Sequence, residues 1–251
     1  KKLIRLPYIK SANYEEPNLM NQNNIDFTID ENTKTGNILF AGTYDSDTDF
    51  GLTFGIEDKN FIGSGNTIDL NFNFNSENLR YDLNYIQYPI FNSYLSNQYS
   101  IFNQENDYTS SFGYKAKRQG FGYNLNFSKD YRTSLNFGAS YEMTEGHSAK
   151  NNSTSAITDN IGNFDNLILS FSIKKDTTND IFNPTDGYFN KLNFLIPPNE
   201  LSDNAYYKIK FINKNYFKIK KSNNFIFLNN NAGYAKSLKS KLKTINAFSL
   251  G

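Results

Sequence analysis

The chain has 251 residues, a formal net charge of +1 and no cysteine. Near balance of charge argues against a nucleic-acid partner, which needs a basic face, and the missing thiols exclude a disulfide framework or a thiolate metal site. Mean hydropathy is −0.63 and no run approaches the ~18 apolar residues of a spanning helix, yet 18 Tyr and 23 Phe make the chain too aromatic to be disordered.

The opening "KKLIRLPYIK" is basic but lacks the apolar core and cleavage site of a secretory leader. It and the closing "NAFSLG" both look like cut ends, so a longer parent protein is expected. Two short strands are expected near 8–14 and 24–30, joined by a Pro/Asn-rich turn.

From about Thr35 onward one pattern recurs. Ile68, Leu70, Phe72 and Phe74 alternate with Asp69, Asn71, Asn73 and Asn75. Leu79, Tyr81, Leu83 and Tyr85 alternate with Arg80, Asp82 and Asn84, and Phe121, Tyr123, Leu125 and Phe127 with Gly122, Asn124 and Asn126. Leu135–Tyr141, Leu167–Ile173 and Tyr188–Ile196 continue it. Period two marks strands with one apolar and one polar face. Eleven strands are predicted: 36–45, 48–58, 65–76, 78–88, 94–104, 112–128, 131–144, 164–176, 187–196, 205–218 and 223–236. No amphipathic helix separates them, so the fold is all-β, an antiparallel meander.

Strands of about ten residues with Asn, Asp, Arg and Lys on one side and Phe and Tyr on the other suit a transmembrane barrel, apolar towards lipid and polar towards the lumen. Closure would remove the sheet edges that lipid does not tolerate. Phe72, Phe74, Leu83, Tyr85, Phe127, Phe137, Phe171 and Phe194 are then expected to face lipid. A large soluble β-sandwich or lectin-like sheet is the alternative. Short breaks (46–48, 92–93, 129–130) and long ones (Gly146 to Asn163, Thr177 to Gly187) are expected to sort to opposite rims.

Chemistry-bearing motifs are few. Gly63-Ser64-Gly65 lacks the third glycine of a dinucleotide fingerprint, and Lys59 precedes the glycines where a phosphate-loop lysine would follow them; a hairpin turn is the reading. Asp45, Asp47 and Asp49 have calcium-loop spacing, but Phe50 takes the glycine position and Glu57 falls one residue late. His147, placed in a polar loop, is the sole histidine, which disfavours zinc and a Ser-His-Asp triad. Asp69 and Asp82 could formally pair as glycosidase carboxylates, though solvation of a lumen explains them better. Asn152-Ser153-Thr154 matches a glycosylation acceptor and carries little weight. The most specific stretch is "DTTNDIFNPTDGYFNKLNF", Asp176 to Phe194, in which Pro184-Thr185-Asp186-Gly187 is locally a turn.

That stretch resembles the D-T-x-x-(x)-x-x-F-x-P-T-x-G signature of the BamA family of bacterial outer-membrane protein assembly factors, carried here by Asp176, Pro184, Thr185 and Gly187. "GIEDKNFIGSGN" is similar to that family's second hairpin, with Asp58, Asn60, Phe61, Gly63 and Gly65 in its pattern. "IDFTIDENTKTGNILFAGTYDS", Ile25 to Ser46, resembles the junction where a final POTRA strand ends at Asp30-Glu31 and Thr35-Gly36 opens the barrel. "FSLG" resembles the start of the F-x-L-G-G segment of the sixth extracellular loop, although the V-R-G-F of that loop and the last strands lie beyond the chain.

The resemblance implies residues 1–33 as the C-terminal remnant of the last POTRA domain, and 34–251 as the leading part of a 16-stranded barrel ending within the sixth loop. It implies a non-enzyme of the bacterial outer membrane with a periplasmic N-terminal remnant, no cofactor and no metal. Its partners would be the lipid bilayer, unfolded outer-membrane proteins and assembly lipoproteins met through POTRA domains. Substrate strands would pair at a lateral seam, Gly36, Asn37, Ile38, Leu39, Phe40, Ala41, Gly42, Thr43 and Tyr44, loosely held because Gly36 and Gly42 pack no side chain. A two-partner secretion transporter, a translocation-assembly paralogue and a passive porin are the alternatives. The sheet should be an open curl of about eleven strands, its closing partners missing.

Overall fold

Alternating β-formers separated by Gly, Asn and Asp fold into strands throughout, in the computed structural model of the chain. It describes residues 8–15, 26–46, 49–89, 94–109, 113–128, 130, 132–148, 158, 161–180, 183–219, 224–239, 241–243 and 246–248. The first strands, β1 (Ile9–Glu15) and β2 (Asp26–Glu31), make a two-stranded antiparallel sheet of their own. The remaining eleven form one sheet in sequence order: β3 (Gly36–Asp45), β4 (Asp49–Asp58), β5 (Thr67–Phe74), β6 (Asn78–Gln87), β7 (Leu95–Tyr108), β8 (Tyr114–Ser128), β9 (Thr133–Ser148), β10 (Gly162–Asp176), β11 (Gly187–Ile196), β12 (Tyr206–Lys218) and β13 (Phe225–Ser237). The all-β antiparallel meander is as expected, and the sheet is open, with β3 and β13 at its two edges.

Register aligns the apolar positions into continuous rows. One row runs Ile38, Ile56, Leu70, Leu83, Ile101, Phe121, Tyr141, Leu167 across eight strands. Another runs Leu125, Phe137, Phe171, Phe194, Ile209, Tyr234. Because side chains alternate by two, a one-residue slip in any strand would break these rows. Phe72, Phe74, Tyr85 and Phe127 share the same face through their partners Phe54, Leu52, Ile68 and Leu95. The face stays open: Phe40 is 73% exposed, Phe121 62% and Phe137 52%.

The polar face is the covered one. Tyr114, Ala116, Glu142, Thr144, Asn166, Ile168 and Tyr206 are buried and all lie on it. Arg118 of β8 pairs with Glu142 at 3.2 Å and also reaches electrostatic range of Tyr206 and Lys208 on β12, four strands away. The polar faces therefore converge on the concave side of the curl. A sandwich would bury the Phe/Tyr face under a second sheet; one sheet with a polar interior sets that alternative aside.

Two expectations need correction. β9 extends to Ser148, so His147 stands in a strand, opposite Lys115 and 3.7 Å from Glu145, rather than in a loop. Nor do connections sort by length. Strand direction alternates, so 46–48 shares its rim with 149–161, while 177–186 shares the other rim with 88–94 and 129–132. The two ends of the 177–186 stretch are tied to each other by hydrogen bonds of Thr177 and Asn179 with Thr185, Asp186 and Tyr188. Asp47, Asn152-Ser153-Thr154 and the residues after Phe248 lie outside the described residues.

Candidate functional site

β3 is an edge. One flank pairs with β4 in unbroken register from Gly36↔Asp58 to Asp45↔Asp49. The other flank meets no strand among the described residues. In an antiparallel pair, only alternate residues turn their N–H and C=O towards the partner, so about half of the backbone groups of β3 point to the open side. Its apolar side chains are as open as its backbone: Ile38, Phe40 and Tyr44 are 76%, 73% and 80% exposed. Asn37 donates to Glu57 at 3.4 Å on the polar face.

The hold on β3 also depends on glycines of its neighbour. A Cβ at Gly42 would stand 3.5 Å from the Phe50 ring, ordinary contact, so there is room for the side chain that glycine lacks. The glycines that matter are on β4. Leu39 lies over Gly55 and Thr43 over Gly51, where a Cβ would meet Leu39 Cβ at 3.4 Å and Thr43 Oγ1 at 2.6 Å. The signal was available in "DFGLTFGIED", since glycines four apart on a strand share a face. β3 is thus well seated against β4 and free only on its outer flank.

The base of β3 is tied to the β4–β5 turn by the family-like residues. Asp58 Oδ1 accepts from Thr35 Oγ1 at 2.7 Å and from the Asn60 N–H at 2.9 Å. Asn60 Oδ1 accepts from the Gly65 N–H at 2.7 Å, and the Phe61 N–H donates to Asn66 O at 2.9 Å. Gly63 and Gly65 have φ of +70° and +72°, the left-handed region that glycine enters without a Cβ penalty. The Tyr8 ring, next to β1, sits over Gly65 at 3.1 Å from where a Cβ would be. We expect Asp58→Ala to cost about 1–2 kcal/mol, two hydrogen bonds to a charged acceptor being lost. Urea unfolding of the full-length protein checks this.

The second motif builds a turn at the same rim. Asn179 Oδ1 accepts from the N–H groups of Thr185 and Asp186 at 3.0 and 3.1 Å, and its Nδ2 donates to Thr185 Oγ1 at 3.0 Å. Asp176 Oδ1 accepts from Thr178 Oγ1 at 2.6 Å, and the Thr177 N–H donates to Tyr188 O at 2.8 Å. Gly187 closes the turn at φ +98°. Both motifs are therefore scaffolding. Neither brings together groups that would act on a small molecule, and no cluster of metal-ligating side chains occurs among the described residues.

Comparison with known proteins fits this architecture. Residues 60–251 match the Omp85 superfamily domain. The chain belongs to the Omp85 superfamily. Among solved structures, BamA from Haemophilus ducreyi lacking POTRA domains 1–3 superposes with a TM-score of 0.81 at 22% identity, over 100% of this chain and 51% of that one. CdiB from Acinetobacter baumannii gives a TM-score of 0.54 at 11% identity, over 94% and 46%. At such identities the likeness is one of fold, and the chain spans about half the length of each of these two proteins. Comparison with curated proteins yields no match. Membership in the Omp85 superfamily makes the sheet part of an outer-membrane β-barrel, its apolar rows outward and its polar face inward.

Proposed function

We propose that this chain is the leading half of a BamA-like assembly factor, which folds other β-barrels into the outer membrane by pairing their strands with the free edge of β3. The open flank of Gly36–Tyr44 carries the reading. An unpaired edge templates an incoming strand through main-chain hydrogen bonds, independent of the client's sequence. The outward Ile38, Phe40 and Tyr44 would keep the new strand's apolar face continuous with the row in lipid. Residues 1–33 are then the end of the last POTRA domain, on the periplasmic side, and 34–251 the first eleven strands of the barrel, up to the sixth loop. POTRA domains would bring assembly lipoproteins, and no cofactor enters the mechanism.

A secretion transporter of the same superfamily is the second reading. The two differ in what β3 meets. In the full-length protein, a Cys at Phe40 or Gly42 should form an adduct with a stalled outer-membrane substrate bearing a Cys in its terminal strand. Adducts absent at both positions, with the protein folded and in place, would contradict templating and favour the transporter.

A further inference from the structure

We infer that the inner wall formed by β10, β11 and β12 is a binding track for a separate polypeptide, extended and rich in Asp and Glu. This goes beyond the β3 edge and rests only on the inward direction of the polar face.

The sequence of β12, "YYKIKFINKNYFK", puts Lys208, Lys210, Lys214 and Lys218 on one face with Tyr206, Ile212 and Tyr216. That face is the inner one, since it carries buried Tyr206 and points Lys208 towards Arg118. Register adds two more lysines. Lys191 of β11 lies beside Ile212 and directly opposite Lys174 of β10. Like charges directly opposed on one sheet face are destabilising. Among the described residues, none of Lys174, Lys191, Lys210 and Lys214 comes within ion-pair distance of a carboxylate. Elsewhere on the inner face, Asp82 is paired by Arg80 at 2.6 Å and, on the adjoining strand β9, Glu142 by Arg118 at 3.2 Å. The four lysines have no such partner among the described residues, and the acid on the inner face of these three strands, Asp176, instead accepts hydrogen bonds from Thr178.

The spacing selects the partner. Alternate residues of β12 repeat every ~6.6 Å, which is also the repeat of same-side groups on an extended polypeptide. A small anion would need one convergent site, whereas these cations are strung along a strand. Aromatic rings flank the track at its turn-motif end: Tyr216 stacks on Phe227 at 4.8 Å, and Lys214 lies 5.9 Å from the Phe189 ring. They offer apolar contact between the charges.

This wall already holds one stretch of main chain. Lys208 Nζ donates to the carbonyls of Asn246 and Ala247, both at 3.2 Å, and lies 4.3 Å from the Phe248 ring. Phe248 in turn rests on Gly233 of β13, where a Cβ would meet the ring at 2.6 Å. A lysine of the track thus binds polypeptide carbonyls in this structure, and among the described residues Lys210 and Lys214 along β12 meet no carboxylate.

The test uses the full-length protein in nanodiscs and a fluorescent decapeptide alternating Asp and Thr, with a Lys–Thr decapeptide as the control. We expect the acidic peptide alone to bind, and Lys191→Glu with Lys210→Glu to weaken it by about tenfold or more. Raising salt from about 50 to 500 mM should weaken it too, by screening. Lys191→Gln with Lys210→Gln, which removes charge without reversing it, should give an intermediate loss and guards against misfolding of the reversed variant. Equal binding of both peptides, unchanged affinity in both double variants, or no binding at low salt would overturn the proposal. The last result would mean that the chain's own continuation, or nothing, fills the track. Peptide affinity is read without reference to adducts at β3, so failure here and failure of the templating reading are separable.

Discussion

Phe137→Arg should lower the stability of the full-length barrel in lipid vesicles by about 2–4 kcal/mol, the cost of a cation on the lipid face near the bilayer midplane. Phe137 sits mid-row between Leu125 and Phe171, its ring 5.0 Å from that of Phe171, and is 52% exposed. In a soluble sheet the same exposure would make Arg nearly neutral, since surface substitutions usually stay within ~0.5 kcal/mol. The neighbouring Asn136 turns to the other face, where its Nδ2 donates to Asn126 Oδ1 at 2.6 Å. Asn136→Arg exchanges that bond for a solvated guanidinium and should cost at most about 1 kcal/mol. Urea titration of both variants in vesicles gives the two numbers. Equal losses at 136 and 137 would contradict the two-faced sheet.

Gly187→Val should cost about 2–4 kcal/mol, combining a β-branched residue held at φ +98° with a collision. A Cβ at Gly187 runs into the Thr177 carbonyl, and Thr178 Cα stands 2.9 Å away. Relief requires breaking the Thr177–Tyr188 hydrogen bonds that start β11. Gly63 is the contrast. Its φ of +70° is also left-handed, yet nothing lies within 4 Å of a Cβ there, so Gly63→Ala should cost only about 1 kcal/mol of backbone strain. A Gly187 variant no worse than Gly63→Ala would show the turn to be softer than its hydrogen bonds indicate.

The strands were legible because period two is a local property. Leu79–Tyr85 or Phe121–Phe127 needs no tertiary information to reveal its faces, and the eleven expected segments correspond one to one with β3–β13. Gly63 and Gly65 were legible as a turn for the same reason. What failed was non-local. Whether 177–186 is a loose loop or a turn depends on Asn179 reaching Thr185 and Asp186. That His147 is paired depends on how far β8 and β9 extend together. Gly51 and Gly55 mattered only once register set them under Thr43 and Leu39. The lysine wall was half visible in "KIKFINKNYFK", but Lys174 and Lys191 joined it only through the pairing of β10 with β11 and β12. The edge role of β3 followed from family resemblance and strand order, since nothing in "GNILFAGTYD" itself says that a neighbour is missing.

Quenching by lipids tests the two-faced curl most directly. Single Cys variants of the full-length protein at Leu83, Ile101 and Phe121, in one outward row, and at Asn84, Ser100 and Gly122, in the adjacent inward row, would carry an environment-sensitive fluorophore in vesicles. Quenchers on the acyl chains should dim the first three and spare the second three, and a water-soluble quencher should do the reverse. Equal quenching of both sets, or protection of the first three from lipid by a covering layer of protein, would contradict the account.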